Sequence, residues 1–88
     1  MLIWDDEKNQ RLQIGRNISF DQISEIILRK EYVDIIENPS RPSQKIFVIS
    51  LNDYTYAVPF IIDDQANIVL KTAYPSRKLH KKYTGITS

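Results

Sequence analysis

The chain has 88 residues, which is enough for one domain with a modest hydrophobic core. Hydrophobic residues make up 42% and charged residues 26%, a composition that predicts a folded domain rather than a disordered chain. The absence of cysteine excludes a disulfide framework and thiolate metal sites, and it is typical of a reducing compartment. The apolar runs are too short to span a bilayer and no signal-peptide pattern is visible. We therefore expect a single cytoplasmic domain, residues 1–88, with no membrane attachment.

The net charge of +1 conceals a strong asymmetry along the chain. Residues 1–64 contain 7 Lys or Arg against 11 Asp or Glu, whereas residues 65–88 contain 5 Lys or Arg and no acid. A basic segment beside an acidic body attracts a polyanion such as RNA, and it can equally bind an acidic partner chain.

Two helices are predicted near the start of the chain. Residues 2–4 predict a short edge strand, which places Trp4 in the core against the first helix. Asp5 or Asp6 caps that helix, which runs to about Gln13. The residues that can end it by adopting the left-handed conformation are Gly15 and Asn17.

The second helix has the clearest local signature. Ser19 followed by Gln22 is a capping box, which predicts that the helix begins at Phe20. Apolar residues then recur at helical spacing on one face: Phe20, Ile23, Ile26 and Ile27.

Beyond this helix the pattern predicts strands over residues 32–37, 45–51, 54–62 and 68–74. The segment 45–51 is apolar on both faces, which favours the centre of a sheet. Asn52-Asp53 predicts a hairpin turn, and Pro59 predicts a bulge or a locally unpaired edge. Pro75 ends the last strand, and Ser76 caps a short helix that runs to about Tyr83. The order predicts an α+β fold with an antiparallel sheet of about four strands, two N-terminal helices and a short C-terminal helix, all helices on one face.

Few residues suggest metal or nucleophilic chemistry, and no cofactor or metal is expected. His80 is the single histidine, which excludes a multi-histidine metal site. His80 is either a proton carrier or one more polar residue on an exposed helix, and the second interpretation is favoured. Asp63-Asp64 is more typical of a solvated turn than of a cation site.

The basic end of the chain is the best candidate site. Its polar residues are Lys71, Arg77, Lys78, His80, Lys81 and Lys82, and two tyrosines, Tyr74 and Tyr83, bracket the last helix. Arginine grips a phosphate with two parallel hydrogen bonds, and tyrosine stacks on an unpaired base. A solvated helix face is the alternative interpretation. Tyr54 and Tyr56 are more typical of core or sheet surface than of a stacking platform.

Two stretches of the chain resemble a known family. Trp4-Asp5-Asp6-Glu7-Lys8-Asn9, followed by Ile18-Ser19-Phe20, resembles the opening of BrnT-type toxins, which read W-D-x-x-K and later I-S-F. The segment Lys71-Thr72-Ala73-Tyr74-Pro75-Ser76-Arg77-Lys78, with the later Tyr83, is similar to the final strand and closing motif of that family. Two positions differ, because Arg16-Asn17 stands where Lys-His is frequent and Pro75 stands where a small residue is usual.

The resemblance implies a toxin-like domain of RelE-like fold, a metal-independent endoribonuclease of a bacterial type II toxin–antitoxin system. Its implied partners are an RNA substrate and an antitoxin of ribbon-helix-helix type, within a higher-order toxin–antitoxin oligomer. RNA supplies its own nucleophile, so the protein needs only to orient the phosphate and stabilise charge. Arg77 matches the arginine of the closing motif, and Lys8 matches the lysine of the opening motif.

The residues predicted to act fall into two groups. The catalytic candidates are Arg77 and Lys71 for charge stabilisation, with His80, Tyr83 or Lys78 as acid and base. The RNA-binding candidates are Lys78, Lys81, Lys82, Tyr74, Lys8 and Lys45. The alternative is a non-catalytic module that binds nucleic acid or a partner through its basic C-terminal face.

Overall fold

The computed structural model describes residues 1–85. Its elements in chain order are β1 (Leu2–Ile3), α1 (Asp6–Arg16), α2 (Phe20–Leu28), β2 (Asp34–Glu37), β3 (Lys45–Leu51), β4 (Tyr54–Ile62), β5 (Ile68–Leu70), β6 (Tyr74–Pro75) and α3 (Arg77–Thr84). None of the helices in the described range is long and apolar enough to cross a membrane.

Local capping chemistry determines where the helices begin and end. The Asp5 carboxylate accepts hydrogen bonds from the first-turn N–H groups of α1, and Ser19 and Gln22 form the predicted capping box of α2. α1 continues past Gln13 and through Gly15, and it ends where Asn17 adopts the left-handed conformation at φ 56°. The extra turn is held by a hydrogen bond from the Arg16 guanidinium to a distant backbone carbonyl.

A buried asparagine joins the two N-terminal helices. The Asn9 side-chain oxygen accepts a hydrogen bond from the backbone N–H of Phe20 at 2.7 Å. The amide nitrogen of the same side chain donates to the Asp21 carboxylate at 3.0 Å. Asn9 therefore fixes the start of α2 against the middle of α1, although its buried position is not evident from the sequence.

The prediction of a four-stranded antiparallel sheet is wrong. The sheet is mixed and has the strand order β1-β5-β4-β3-β2, with β6 also paired to β4. β1 runs parallel to β5, with Leu2 opposite Ile68, while the other neighbours are antiparallel. β1 and β5 are more than sixty residues apart in the chain. No short turn joins them, so the sequence contains no local signal that predicts their pairing.

The predicted strand 68–74 is divided by a break. β5 pairs with residues 60–62 of β4, β6 pairs with residues 56–57, and residues 71–73 lie between the two ladders. Pro59 faces this break, where its carbonyl accepts a hydrogen bond from the N–H of Lys71 at 2.9 Å. Because neither ladder requires an N–H at this point, proline is tolerated inside β4, as the predicted unpaired edge implies.

Helices cover both faces of the sheet, not one as predicted. On the first face, here called the α1/α2 face, the helices pack on Phe47, Ile49, Val58 and Phe60. On the second, the α3 face, Leu79 and Tyr83 pack on Ile36, Ile46, Val48 and Ala57. β3 and β4 carry apolar side chains on both faces, so each face needs a cover.

Candidate nucleic-acid interface

A polar groove with a volume of about 440 Å³ lies on the α3 face beside the break between β5 and β6. We call it the basic groove, and its lining residues are Lys8, Asn38, Ser40, Arg41, Gln44, Pro59, Lys71, Thr72 and Tyr74. The groove therefore brings together three of the predicted site residues, Lys8, Lys71 and Tyr74, from distant parts of the chain.

Backbone hydrogen bonds position the residues on the strand side of the basic groove. The bond between the Lys71 N–H and the Pro59 carbonyl fixes Lys71 where the chain leaves β5. Tyr74 is fixed by the pairing of β6 with Ala57 of β4. Lys8 belongs to α1, whose last turn is bound through Arg16 to the carbonyl of Ala73. The broken edge of the sheet is thus the common anchor of these side chains.

The opposite wall of the basic groove is the loop between β2 and β3. Its ends are joined by a hydrogen bond from the N–H of Asn38 to the carbonyl of Gln44 at 3.4 Å. Inside the loop, the N–H of Arg41 donates to the carbonyl of Asn38 at 3.2 Å, and the N–H of Gln44 donates to the carbonyl of Arg41 at 2.9 Å. These bonds hold the backbone that carries Arg41.

Arg41 is the groove cation that was not among the predicted site residues. It stands in a segment containing Pro and Ser, a composition typical of a loop. The signal available in the sequence was a lone arginine between Pro39 and Pro42, which is a weak indication of a site. Its proximity to Lys71 depends on the sheet pairing, which sequence does not show.

The electrostatics of the basic groove favour an anion. Its lining holds the three cations Lys8, Arg41 and Lys71, and none of these lining residues, all within the described range, is acidic. Among residues 1–85 none of the three cations is paired with a carboxylate, since the ion pair found there joins Arg11 and Glu7. Amide and hydroxyl groups of the loop supply further donors. The groove can therefore bind the phosphates of a nucleic acid while Tyr74 offers a ring face to a base.

The remaining cations of the basic end project from α3. The Ser76 hydroxyl caps this helix by accepting a hydrogen bond from the N–H of Leu79 at 3.2 Å. With Leu79 and Tyr83 packed on the sheet, the basic side chains of α3 are exposed: Arg77, Lys78, Lys81 and Lys82. None of these four lines the basic groove. The predicted site thus divides into a groove and a neighbouring basic helix.

His80 is buried, so its favoured interpretation as an exposed polar residue is wrong. Its side chain is only 6% exposed, and its Nδ1 lies 3.0 Å from the Thr55 hydroxyl in a hydrogen bond. The imidazole also stacks on Tyr54, with ring centroids 4.1 Å apart. The burial arises because α3 crosses β4 where Thr55 offers the ring a polar partner. His80 consequently attaches α3 to the sheet and does not line the groove.

Tyr83 is likewise engaged with the sheet. Its hydroxyl donates a hydrogen bond to the Asp34 carboxylate at 2.6 Å. This bond raises the pKa of Tyr83 above its usual value, and it lowers the pKa of Asp34 below the usual range of an aspartate. The phenol therefore retains its proton more firmly than a free tyrosine does.

Lys45 lies apart from the other predicted RNA-binding residues. It pairs with Phe60 in β4, whose ring belongs to the core on the α1/α2 face. Residues that lie opposite each other in paired strands share a face, so Lys45 is on the α1/α2 face with Phe60. Successive side chains of a strand point to opposite faces, so Pro59, which lines the basic groove, points to the other side of the sheet.

The acidic turn after β4 is a structural feature. The Asp63 carboxylate accepts hydrogen bonds from the N–H groups of Gln65 and Asn67, both at 2.9 Å. The bond from Asn67 is the main cause that lowers the pKa of Asp63. Among the described residues, no three His, Asp or Glu side chains come together in a metal-binding group.

Comparisons with family models, curated proteins and solved structures found no match to this chain.

Proposed function

We propose that this protein is the toxin of a type II toxin–antitoxin system, a metal-independent endoribonuclease whose RNA substrate lies in the basic groove. The observation that carries the proposal is the convergence of Lys8, Arg41 and Lys71 around a groove whose lining has no acid. The resemblance of the opening and closing segments to BrnT-type toxins also supports it. The implied antitoxin is a separate chain of ribbon-helix-helix type.

The proposed reaction is intramolecular transesterification of the RNA. The 2′-hydroxyl gives its proton to water and attacks the adjacent phosphorus to form a 2′,3′-cyclic phosphate, while the bond from phosphorus to the 5′-oxygen breaks and the leaving oxygen takes a proton from water. Negative charge grows on the phosphate oxygens during this step. Lys71 and Arg41 stabilise that charge, which is the largest contribution a protein makes to such a reaction.

The other predicted residues take narrower roles. Arg77 begins α3 immediately beyond the β6–Ser76 corner and is exposed, so it is assigned to the phosphate next to the groove. His80 is assigned to holding α3 in place, since its ring is buried against Thr55 and Tyr54. The exposed lysines of α3 extend the binding track for the RNA backbone.

The test is induced expression of the chain in bacteria, together with incubation of the pure protein with RNA in the presence of EDTA. We expect growth arrest and RNA cleavage from the unaltered chain, and loss of both from Lys71→Ala and Arg77→Ala. Arg29→Ala is the matched control, because Arg29 is exposed and is not among the lining residues of the basic groove. Harmless expression at levels where a known toxin arrests growth would contradict the proposal.

A second candidate function is a non-catalytic RNA-binding module. The observation that favours it is the engagement of His80 with Thr55 and of Tyr83 with Asp34, which occupies two of the side chains best suited to move protons. RNA that remains intact after long incubation, while it still binds in a salt-sensitive way, would support this candidate over the nuclease.

A further inference from the structure

The α1/α2 face carries a second groove that the RNA chemistry does not use. We call it the apolar groove; its volume is about 640 Å³ and its lining residues are Met1, Leu2, Ile27, Leu28, Lys30, Tyr32, Ile35, Ser43, Lys45, Phe47, Phe60, Ile61, Ile62 and Ile68. Helices α1 and α2 leave this part of the sheet uncovered.

The floor of the apolar groove runs obliquely across the sheet from β2 to β1. The strand register places Ile35 opposite Phe47, and Phe47 opposite Val58 of β4. Ile62, four residues further along β4, lies opposite Ile68, which in turn lies opposite Leu2. With neighbouring strands about 4.8 Å apart and a rise of about 3.4 Å per residue, the floor extends about 19 Å across the strands and about 14 Å along them, or about 24 Å in all.

Large apolar side chains in this groove are open to solvent. Leu28 is 71% exposed, Ile62 is 64% exposed and Ile35 is 40% exposed. Single exposed apolar residues are common, but these three line one continuous depression. A contiguous apolar patch on a small protein is typical of a surface that binds a partner.

The charged groups of the apolar groove are of one sign. Lys30 and Lys45 are both exposed and both line it, whereas none of its lining residues, all of them between residues 1 and 85, is acidic. A complementary partner must therefore combine an apolar stripe with negative charge beside it.

We propose that the apolar groove binds an amphipathic helix of another protein, about 16 residues long, with acidic residues flanking its apolar stripe. The length follows from a floor of about 24 Å and a rise of about 1.5 Å per residue. Apolar residues at i, i+3, i+4 and i+7 face Leu28, Ile35 and Ile62, and the flanking carboxylates meet Lys30 and Lys45. This site does not depend on RNA chemistry, since the sheet separates it from the basic groove.

The test uses two labelled synthetic helical peptides with the same leucine stripe, one flanked by glutamates and the other by lysines. Binding to the full chain is measured by fluorescence anisotropy. We expect the glutamate peptide to bind about fivefold or more tightly than the lysine peptide, because two surface ion pairs favour it. Equal affinity for both peptides, or no binding by either, would overturn the proposal.

Three variants locate the bound peptide. Ile62→Asp should weaken binding about tenfold or more, since it removes the contact of one large apolar side chain. Ile14→Asp is the control, because Ile14 is 89% exposed but lies outside the groove, and it should leave the affinity unchanged. The double variant Lys30→Glu/Lys45→Glu should bind the lysine peptide more tightly than the glutamate peptide. Misfolding cannot produce such a gain in affinity for the lysine peptide.

The competing occupant is a second copy of this chain. Sedimentation of the unaltered protein should show a monomer whose sedimentation coefficient does not change when Ile62 is replaced by Asp. A dimer that Ile62→Asp converts into monomers would assign the groove to self-association and refute the helix proposal.

Discussion

Removing one groove cation should change the salt dependence of RNA binding as well as its strength. Arg41→Ala is the informative substitution, because Arg41 lines the basic groove but lies far in sequence from the basic C-terminal segment. Each phosphate contact to a single strand contributes about −0.7 to the slope of log K against log salt. The three groove cations and the four α3 cations together predict a slope of about −5 for the unaltered protein.

The expected magnitudes follow from that slope. Between about 50 and 200 mM salt, a slope of about −4.9 weakens binding about 900-fold, and a slope of about −4.2 weakens it about 340-fold. Arg41→Ala and Lys71→Ala should each move the protein from the first value to the second. If the α3 cations did not contact phosphate, the slope of the unaltered protein would be only about −2, so the measurement distinguishes the groove alone from a groove extended by the helix.

The assay is anisotropy of a short labelled RNA whose 2′-positions are methylated, which removes the nucleophile and leaves binding alone. Arg29→Ala, which alters an exposed cation outside the groove, should keep the unaltered slope. An unchanged slope in Arg41→Ala and Lys71→Ala would refute the assignment of the phosphates to the basic groove.

Three further predictions concern the attachment of the helices. His80→Ala should lower the free energy of unfolding by about 2 kcal/mol or more, because it removes a buried ring. Thr55→Val removes the hydroxyl and nearly keeps the side-chain volume, so it should lower the free energy of unfolding by about 1 kcal/mol. Urea denaturation measures both values. Since Asp34 has a lowered pKa in the fold, its bond to Tyr83 contributes stability above the usual aspartate pKa of 3.8, and that contribution is lost as the pH falls through the folded pKa. The raised pKa of Tyr83 gives the opposite limb, since the contribution is present below the usual tyrosine pKa of 10.0 and lost as the pH rises through the folded value. Tyr83→Phe should therefore flatten both limbs of the urea midpoint against pH, and an unaltered acid limb would contradict the bond. Ser19→Ala should cost about 1 kcal/mol by removing the cap of α2, and a loss of helix signal without loss of stability would argue against that account.

Features set by neighbouring residues were predictable from the sequence. Ser19 and Gln22 lie three positions apart and cap one helix. Asn52 and Asp53 form the predicted hairpin turn, with φ of 53° and 61°. Each depends on residues that are in contact because they are close in the chain. Such contacts need no knowledge of the fold.

Features set by distant pairing were not predictable. The buried position of His80 depends on Thr55, which is 25 residues away, and the basic groove depends on bringing Lys8 and Arg41 beside Lys71. The parallel pairing of β1 with β5 is of the same kind. The charge asymmetry of the sequence identified the basic end of the chain. Only the sheet pairing shows that Lys71, in this basic end, lies beside Lys8 and Arg41, which come from the acidic residues 1–64.

The two grooves lie on opposite faces of the same strands. In β4 this constrains the number of residues more strongly than it constrains their identity. Pro59 lines the basic groove and its neighbour Phe60 lines the apolar groove on the opposite face. Because the two side chains point to opposite faces, a substitution at either position acts first on its own groove, although Phe60 is only 4% exposed and also belongs to the core. Inserting or deleting a single residue before them would send each following side chain to the wrong face and damage both surfaces at once. Natural variation in this strand should therefore consist of substitutions without changes in length.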